Sequence, residues 1–149
     1  MYYSEEELLA ALLVAENNYK ENLEVNGYDY SNTNCFTYAV KYDKALRGEN
    51  SVLRSLVDYD YNDTLSFAQG LLQKGWSGED LFTNNNFELL DLETTPKVGD
   101  FAYTQGVSIF NGKGWLSPNI DGVFGLTDTF SLFNNHFNVC KLHGRPLKT

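Results

Sequence analysis

Apolar positions recur at helical spacing through the first half of the chain and at strand spacing through the second. Leu8, Leu9, Leu12, Leu13 and Tyr19 share one helical face. Ser4 with Glu7 has the form of a capping box, so a helix is expected from about Glu5 to about Tyr19. Glu5, Glu6 and Glu7 suit the positive end of its dipole. Gly27 to Asn34 reads as a polar, Tyr-rich loop. A second helix is expected from near Asn34, capped by Asn34 or Thr33, to Gly48. A short third helix spans Ser51 to Val57, and Asp58 to Asp63 breaks it. A fourth runs from Thr64 to Lys74, with Asp63 as cap, Gly75 as stop, and Leu65, Ala68, Leu71 and Leu72 as its apolar face.

Past residue 85 the signals turn to β. Phe87 to Leu92 is one expected strand. Asp100 to Thr104 and Val107 to Phe110 pair through Gln105-Gly106. Asn111-Gly112 is a hairpin signal, with the chain returning through Trp115. Asp128 to Phe133 and Phe137 to Leu142 read as two last strands. The sum is one α+β domain over residues 1–149: N-terminal helices (about 1–75) packed on a C-terminal antiparallel sheet of about five strands (about 85–143). A chain of this length buries a core without disulfides or metals.

Charge narrows the partners. The net charge is −9 and the pI near 4.5. A nucleic-acid binder needs a basic face to displace counterions, and the cations here are scattered. The nearest thing to a cluster is the tail Lys141, His143, Arg145 and Lys148. An anionic membrane would repel the chain, and no apolar run is long enough to span a bilayer. The acidic start, Met1 to Glu7, is unlike a signal peptide, so a cytoplasmic setting is expected. Basic proteins, peptides or small molecules are the suitable partners, and ten tyrosines offer amphipathic contacts to them.

The residue best placed for chemistry is Cys35, at the expected start of the second helix. Unpaired N–H groups and the helix dipole stabilise a thiolate there. The same groups can hold the oxyanion formed when the thiolate attacks a carbonyl carbon. From the cysteine alone, a small buried hydrophobe is the commoner role. Two histidines could act as base. His136 stands at the start of the last expected strand, and His143 lies past it in an exposed Gly144-Arg145-Pro146 tail, so His136 is preferred. Asn119, Asp121 and Asp128 are open choices for an orienting group. Cys35 and Cys140 make no disulfide framework and are expected as free thiols.

No cofactor or metal is expected. Asp58-Tyr59-Asp60-Tyr61-Asn62 alternates like a calcium loop, but Asp63 replaces its glycine and Gln69 its bidentate glutamate. Cys140 and His143 are the only close thiol–imidazole pair, too few for a zinc site. The glycines from Gly106 to Gly125 precede no helix start that could receive phosphate.

The order of two segments resembles a known family. Asn34-Cys35-Phe36-Thr37-Tyr38-Ala39 comes first, then Pro96-Lys97-Val98-Gly99-Asp100-Phe101-Ala102-Tyr103. This is similar to papain-like thiol hydrolases of the NlpC/P60 and CHAP type, over roughly residues 33–142. The resemblance implies a nucleophile helix ahead of a small antiparallel sheet, with a Gly-Asp pair opening a central strand. It implies hydrolysis of amide or peptide bonds, with Cys35 as nucleophile. The sequence departs from the family where its catalytic histidine opens the next strand. Gln105 and Gly106 stand there, and neither is a base. Either His136 substitutes from a neighbouring strand, or the fold is present and the chemistry is lost.

Gly99 to Tyr103 followed by Phe110-Asn111-Gly112-Lys113-Gly114-Trp115 also resembles hairpins of phage tail and adhesin proteins. The composition, rich in asparagine, is of a kind met in small phage-encoded proteins. The alternatives to an enzyme are therefore a non-catalytic acidic protein that binds and inhibits a host protein, or a virion structural component.

Overall fold

The computed structural model describes residues 1–27, 35–48, 78–83, 86–104, 107–118, 124–135 and 141–148. Two helices lead the chain, α1 (Glu5–Asn26) and α2 (Cys35–Arg47). After α3 (Gly78–Thr83) come β1 (Phe87–Leu90), β2 (Phe101–Tyr103), β3 (Val107–Phe110), β4 (Trp115–Pro118) and β5 (Phe124–Thr127). A short α4 (Thr129–Phe133) precedes the last strand, β6 (Leu142–Pro146). The strands form one antiparallel sheet in the order β1-β6-β2-β3-β4-β5. The fold is thus α+β, and the described residues form six strands, close to the five expected. The helices expected at 51–57 and 64–74, and the Asp58 loop, lie outside the described residues.

The start of α1 follows from its first four residues. Glu7 N–H donates to the Ser4 hydroxyl at 3.2 Å, and Ser4 N–H donates to the Glu7 carboxylate at 3.0 Å. Two otherwise orphaned donors are satisfied at once. The helix continues past Tyr19 until Gly27, at φ 66°, turns its N–H back onto the Leu23 carbonyl. Its buried seam takes only part of the expected face, with Leu8 partly buried against the core. Ala11, Leu12, Ala15 and Tyr19 are buried, while Leu9 and Leu13 face outward. Small side chains on the seam let α2 approach, and Tyr19 meets Tyr38 edge-on at 5.6 Å between centroids.

One sheet face carries Phe87, Phe101, Tyr103, Val107, Ile109 and Leu116 in one core with residues of α1, α2 and α3. Close approach there requires glycine twice. A Cβ on Gly99, at φ 88°, would sit 2.5 Å from the Tyr42 hydroxyl and 2.7 Å from Leu8. A Cβ on Gly144 would press into the Phe82 ring at 2.6 Å. The opposite face carries Ala102, Trp115 and Phe110, covered by Leu132 and Phe133 of α4.

Residues 128–133 are therefore a capped helix, not the expected strand. The Asp128 carboxylate accepts from Ser131 N–H at 2.8 Å and from its hydroxyl at 2.9 Å. That side-chain cap satisfies donors a strand would have paired elsewhere. Trp115 holds the helix from below, donating from Nε1 to the Thr129 hydroxyl at 3.0 Å. The Asn111 turn forms as expected. Its side-chain oxygen accepts from Lys113 and Gly114 N–H, and Gly112 takes φ 96°.

Residues 1–2 lie beside residues 147–148. Tyr2 bridges Leu147, and Lys148 N–H donates to the Met1 carbonyl at 2.7 Å.

Candidate functional site

Cys35 is the first residue of α2, as the sequence led us to expect. Its side chain, and all of His136, Cys140, Asn119 and Asp121, lie outside the described residues. The helix it opens packs over β3 and β4 on the Phe101 face of the sheet. Asp128, one of the residues considered as an orienting group, is the cap of α4.

His143 is where the sequence reading fails. It does not sit in an exposed tail. It is the second residue of β6, only 1 % exposed, and Arg145 follows it on the same face. Across the strands, His143 pairs with Ala102, and Gly144 pairs with Phe101. Alternation then places the imidazole on the Trp115 face, away from α2. The sheet lies between that ring and the helix opened by Cys35, so His143 is not its base.

The partner of His143 is Asp100, which is fully buried. His143 Nε2 stands 2.7 Å from Asp100 Oδ2. Arg145 donates from Nε to Oδ1 and from Nη2 to Oδ2, each at 2.8 Å. Lys97 N–H adds a fourth bond to the carboxylate, at 2.9 Å from Oδ2. Asp100 also exchanges backbone bonds, donating to the Lys97 carbonyl and accepting from Phe110 N–H. Burial pushes the Asp100 carboxyl upward, but bonds from Arg145, His143 and Lys97 outweigh it, and the group lies below the usual carboxylate range. The same pairing raises Arg145. A carboxylate held ionised is acceptor-only, so Nε2 of His143 carries a proton and donates to it.

The other ring nitrogen, Nδ1, has no hydrogen-bond partner among the described residues. Carboxylate on one ring nitrogen and a free second nitrogen is the arrangement of a general base. Here the ring is closed in. Trp115 meets it edge-on at 5.4 Å and Phe133 lies against it at 6.1 Å. With no nucleophile beside it among the described residues and almost no exposure, the trio works as a clasp. It ties the start of β2 to β6 and sets the ring under α4.

The sequence carried a signal for this clasp. Gly99-Asp100 marks the strand opening, and His143 and Arg145 alternate with Leu142, Gly144 and Pro146.

Among the described residues no three His, Cys, Asp or Glu side chains converge as a metal site. None of the described helices is long and apolar enough to cross a membrane. Comparison with protein-family models, curated proteins and solved structures finds no match.

Proposed function

We propose that the chain is a papain-like domain in which Cys35 is the nucleophile of an amide or peptide hydrolase and His136 its base. One observation carries this reading. Cys35 opens α2, that helix lies across β3 and β4, and Gly99-Asp100 leads into β2 beside them. The first-turn N–H groups of α2 favour a thiolate and can receive an oxyanion. The thiolate adds to the carbonyl carbon, and the C–N bond breaks as the leaving amine takes a proton from His136. Water, deprotonated by the same imidazole, then releases the acid and restores the thiol. His143 takes no part, being committed to Asp100. The reading places the chain in the cytoplasm, where thiols stay reduced.

The test is the rate of Cys35 alkylation against pH, in wild type and His136→Ala, followed by peptide mapping. An activated thiol alkylates with an apparent pKa well under the ordinary value of about 8.5, and loses that advantage in the variant. A thiol titrating like a free peptide, indifferent to His136, ends the proposal.

A second reading, a non-catalytic protein that binds a protein partner, has its own support. Leu9, Leu13 and Val14 form an exposed apolar strip on α1, each at least 44 % exposed. Partner capture that survives Cys35→Ala but fails in Leu13→Glu would favour it.

A further inference from the structure

Helix α1 is apolar on two sides. Ala11, Leu12, Ala15 and Tyr19 are sunk into the core, with Leu8 and Leu23 packed against it. The helical twist of about 100° per residue carries Leu9, Ala10, Leu13 and Val14 to the outer side. There Leu9 is 44 %, Val14 49 % and Leu13 60 % exposed. Val25 lies about three turns beyond Val14 on the same line and is exposed too. A helix packed on one neighbour, as α1 is on α2, ordinarily turns polar residues outward. Large apolar side chains scattered singly would need no explanation, but these adjoin one another and form a patch.

Carboxylates close the patch at both ends. Glu5 and Glu6 precede it, Glu21 and Glu24 follow it, and all four are exposed. None of the four has an ion pair among the described residues. Glu7 is committed to Ser4 and Lys148. The only cation of the helix, Lys20, is paired with Glu16. The later carboxylates are also badly placed for the helix itself. Glu21 and Glu24 stand toward the negative end of the dipole, and the last turn holds no basic residue to offset them. A cation from outside would relieve that opposition.

We infer that this face of α1 binds a basic amphipathic helix of another protein. Its apolar side chains lie on Leu9, Leu13 and Val14, and its lysines or arginines reach the carboxylates at the two ends. The inference rests on the protein-binding reading above, whose partner chemistry it names, and is independent of Cys35. A second copy of this chain does not fit. Antiparallel pairing of two α1 helices would set Glu5 and Glu6 against Glu21 and Glu24, and parallel pairing would set each against itself. Both juxtapose like charges, on chains that each carry a net −9.

The probes are three synthetic helical peptides, blocked at both ends. One has a leucine face and lysines elsewhere. The second replaces every lysine by glutamate. The third keeps the composition of the first but scatters its leucines round the axis. Each is titrated into the full chain and followed by fluorescence anisotropy and by the amide shifts of Ala10, Leu13 and Val14. The leucine-faced lysine peptide binds at least about tenfold more tightly than either control. Leu13→Glu weakens it at least about tenfold, although the substitution adds negative charge. Glu21→Lys combined with Glu24→Lys weakens it and lets the glutamate peptide bind. These positions are exposed, so each variant melts within about 4 °C of the wild type. Equal binding of the lysine and glutamate peptides overturns the inference, as does equal binding of the faced and scattered ones. So does the absence of any shift at Leu13. A dimer in sedimentation that depends on Leu13 would mean that a second copy takes the face. A larger drop in melting temperature for Leu13→Glu would mean that the chain covers the face itself. Either result overturns the inference. The protein-binding reading is judged apart from it: that reading survives if partner capture still requires Leu13 while the lysine peptide fails to bind.

Discussion

Replacing Asp100 by Asn keeps the shape of the side chain and destroys its meaning. Four donors converge on the carboxylate: Arg145 Nε and Nη2, His143 Nε2 and Lys97 N–H. An amide offers one acceptor oxygen and turns its own N–H groups toward at least one of those donors, at a separation near 2.8 Å. The guanidinium of Arg145, with a side chain only 11 % exposed, is then left without its counter-charge. Breaking a buried pair in this way costs about 3–5 kcal/mol. For a domain of this size each kcal/mol moves the melting temperature by about 2–4 °C, so the variant should melt about 6–20 °C lower. The control is Lys148→Met, which removes a pair whose members are 43 % and 42 % exposed. It should cost less than about 1 kcal/mol. Urea unfolding followed by the near-ultraviolet dichroism of the buried Trp115 reads both. The pH dependence gives a second arm. Asp100 is held below its ordinary value in the folded chain, so the unfolded chain takes up its proton first as pH falls. The stabilisation is complete above the unfolded value of about 4 and is lost as pH drops through the folded one. Asp100→Asn should abolish that component of the acid limb. A cost under about 1 kcal/mol, or an unchanged acid limb, would refute the account of the clasp.

Two further outcomes follow from the packed face. Gly144→Ala drives a methyl into the ring of buried Phe82 and should cost about 1–3 kcal/mol, measured by the urea midpoint at constant slope; a neutral result would mean that the α3 contact yields freely. Burial raises the hydroxyls of Tyr38 and Tyr42 well above the ordinary tyrosine value. The unfolded chain loses those protons first, so stability should fall as pH rises past about 10, and absorbance at the tyrosinate band should show the two ionising only with unfolding.

Much of the frame was legible because local chemistry and tertiary packing agree there. Ser4 and Glu7 announce the start of α1, Cys35 to Arg47 reads as one helix, and Asn111-Gly112 reads as a turn. The misreadings occur where one local signal has two uses. Thr129 to Phe133 is a short apolar run of the length of a strand, and only the Asp128 cap on Ser131 decides for helix. Phe124 to Thr127 gave no strand signal, since the edge strand β5 holds Gly125 and leaves Leu126 exposed. On α1 the larger leucines looked like the buried face, yet alanines serve at the seam because tyrosines from α2 fill the space. His143 and Arg145 were read as a solvated tail because charge usually marks solvent. No pattern in a single sequence reveals that their carboxylate partner lies 43 and 45 residues earlier. Cys35 was placed correctly at a helix start by capping logic alone.

The bridge between Tyr2 and Leu147 has a practical side. Head and tail leave the domain shoulder to shoulder, so a short linker could join them without stretching the backbone. Fresh ends could then be cut at Gly112-Lys113, an exposed turn on the far end of a hairpin. Such a rewired chain would retain the described strand pairings, and anything fused beside Met1 or Lys148 would emerge next to Tyr2.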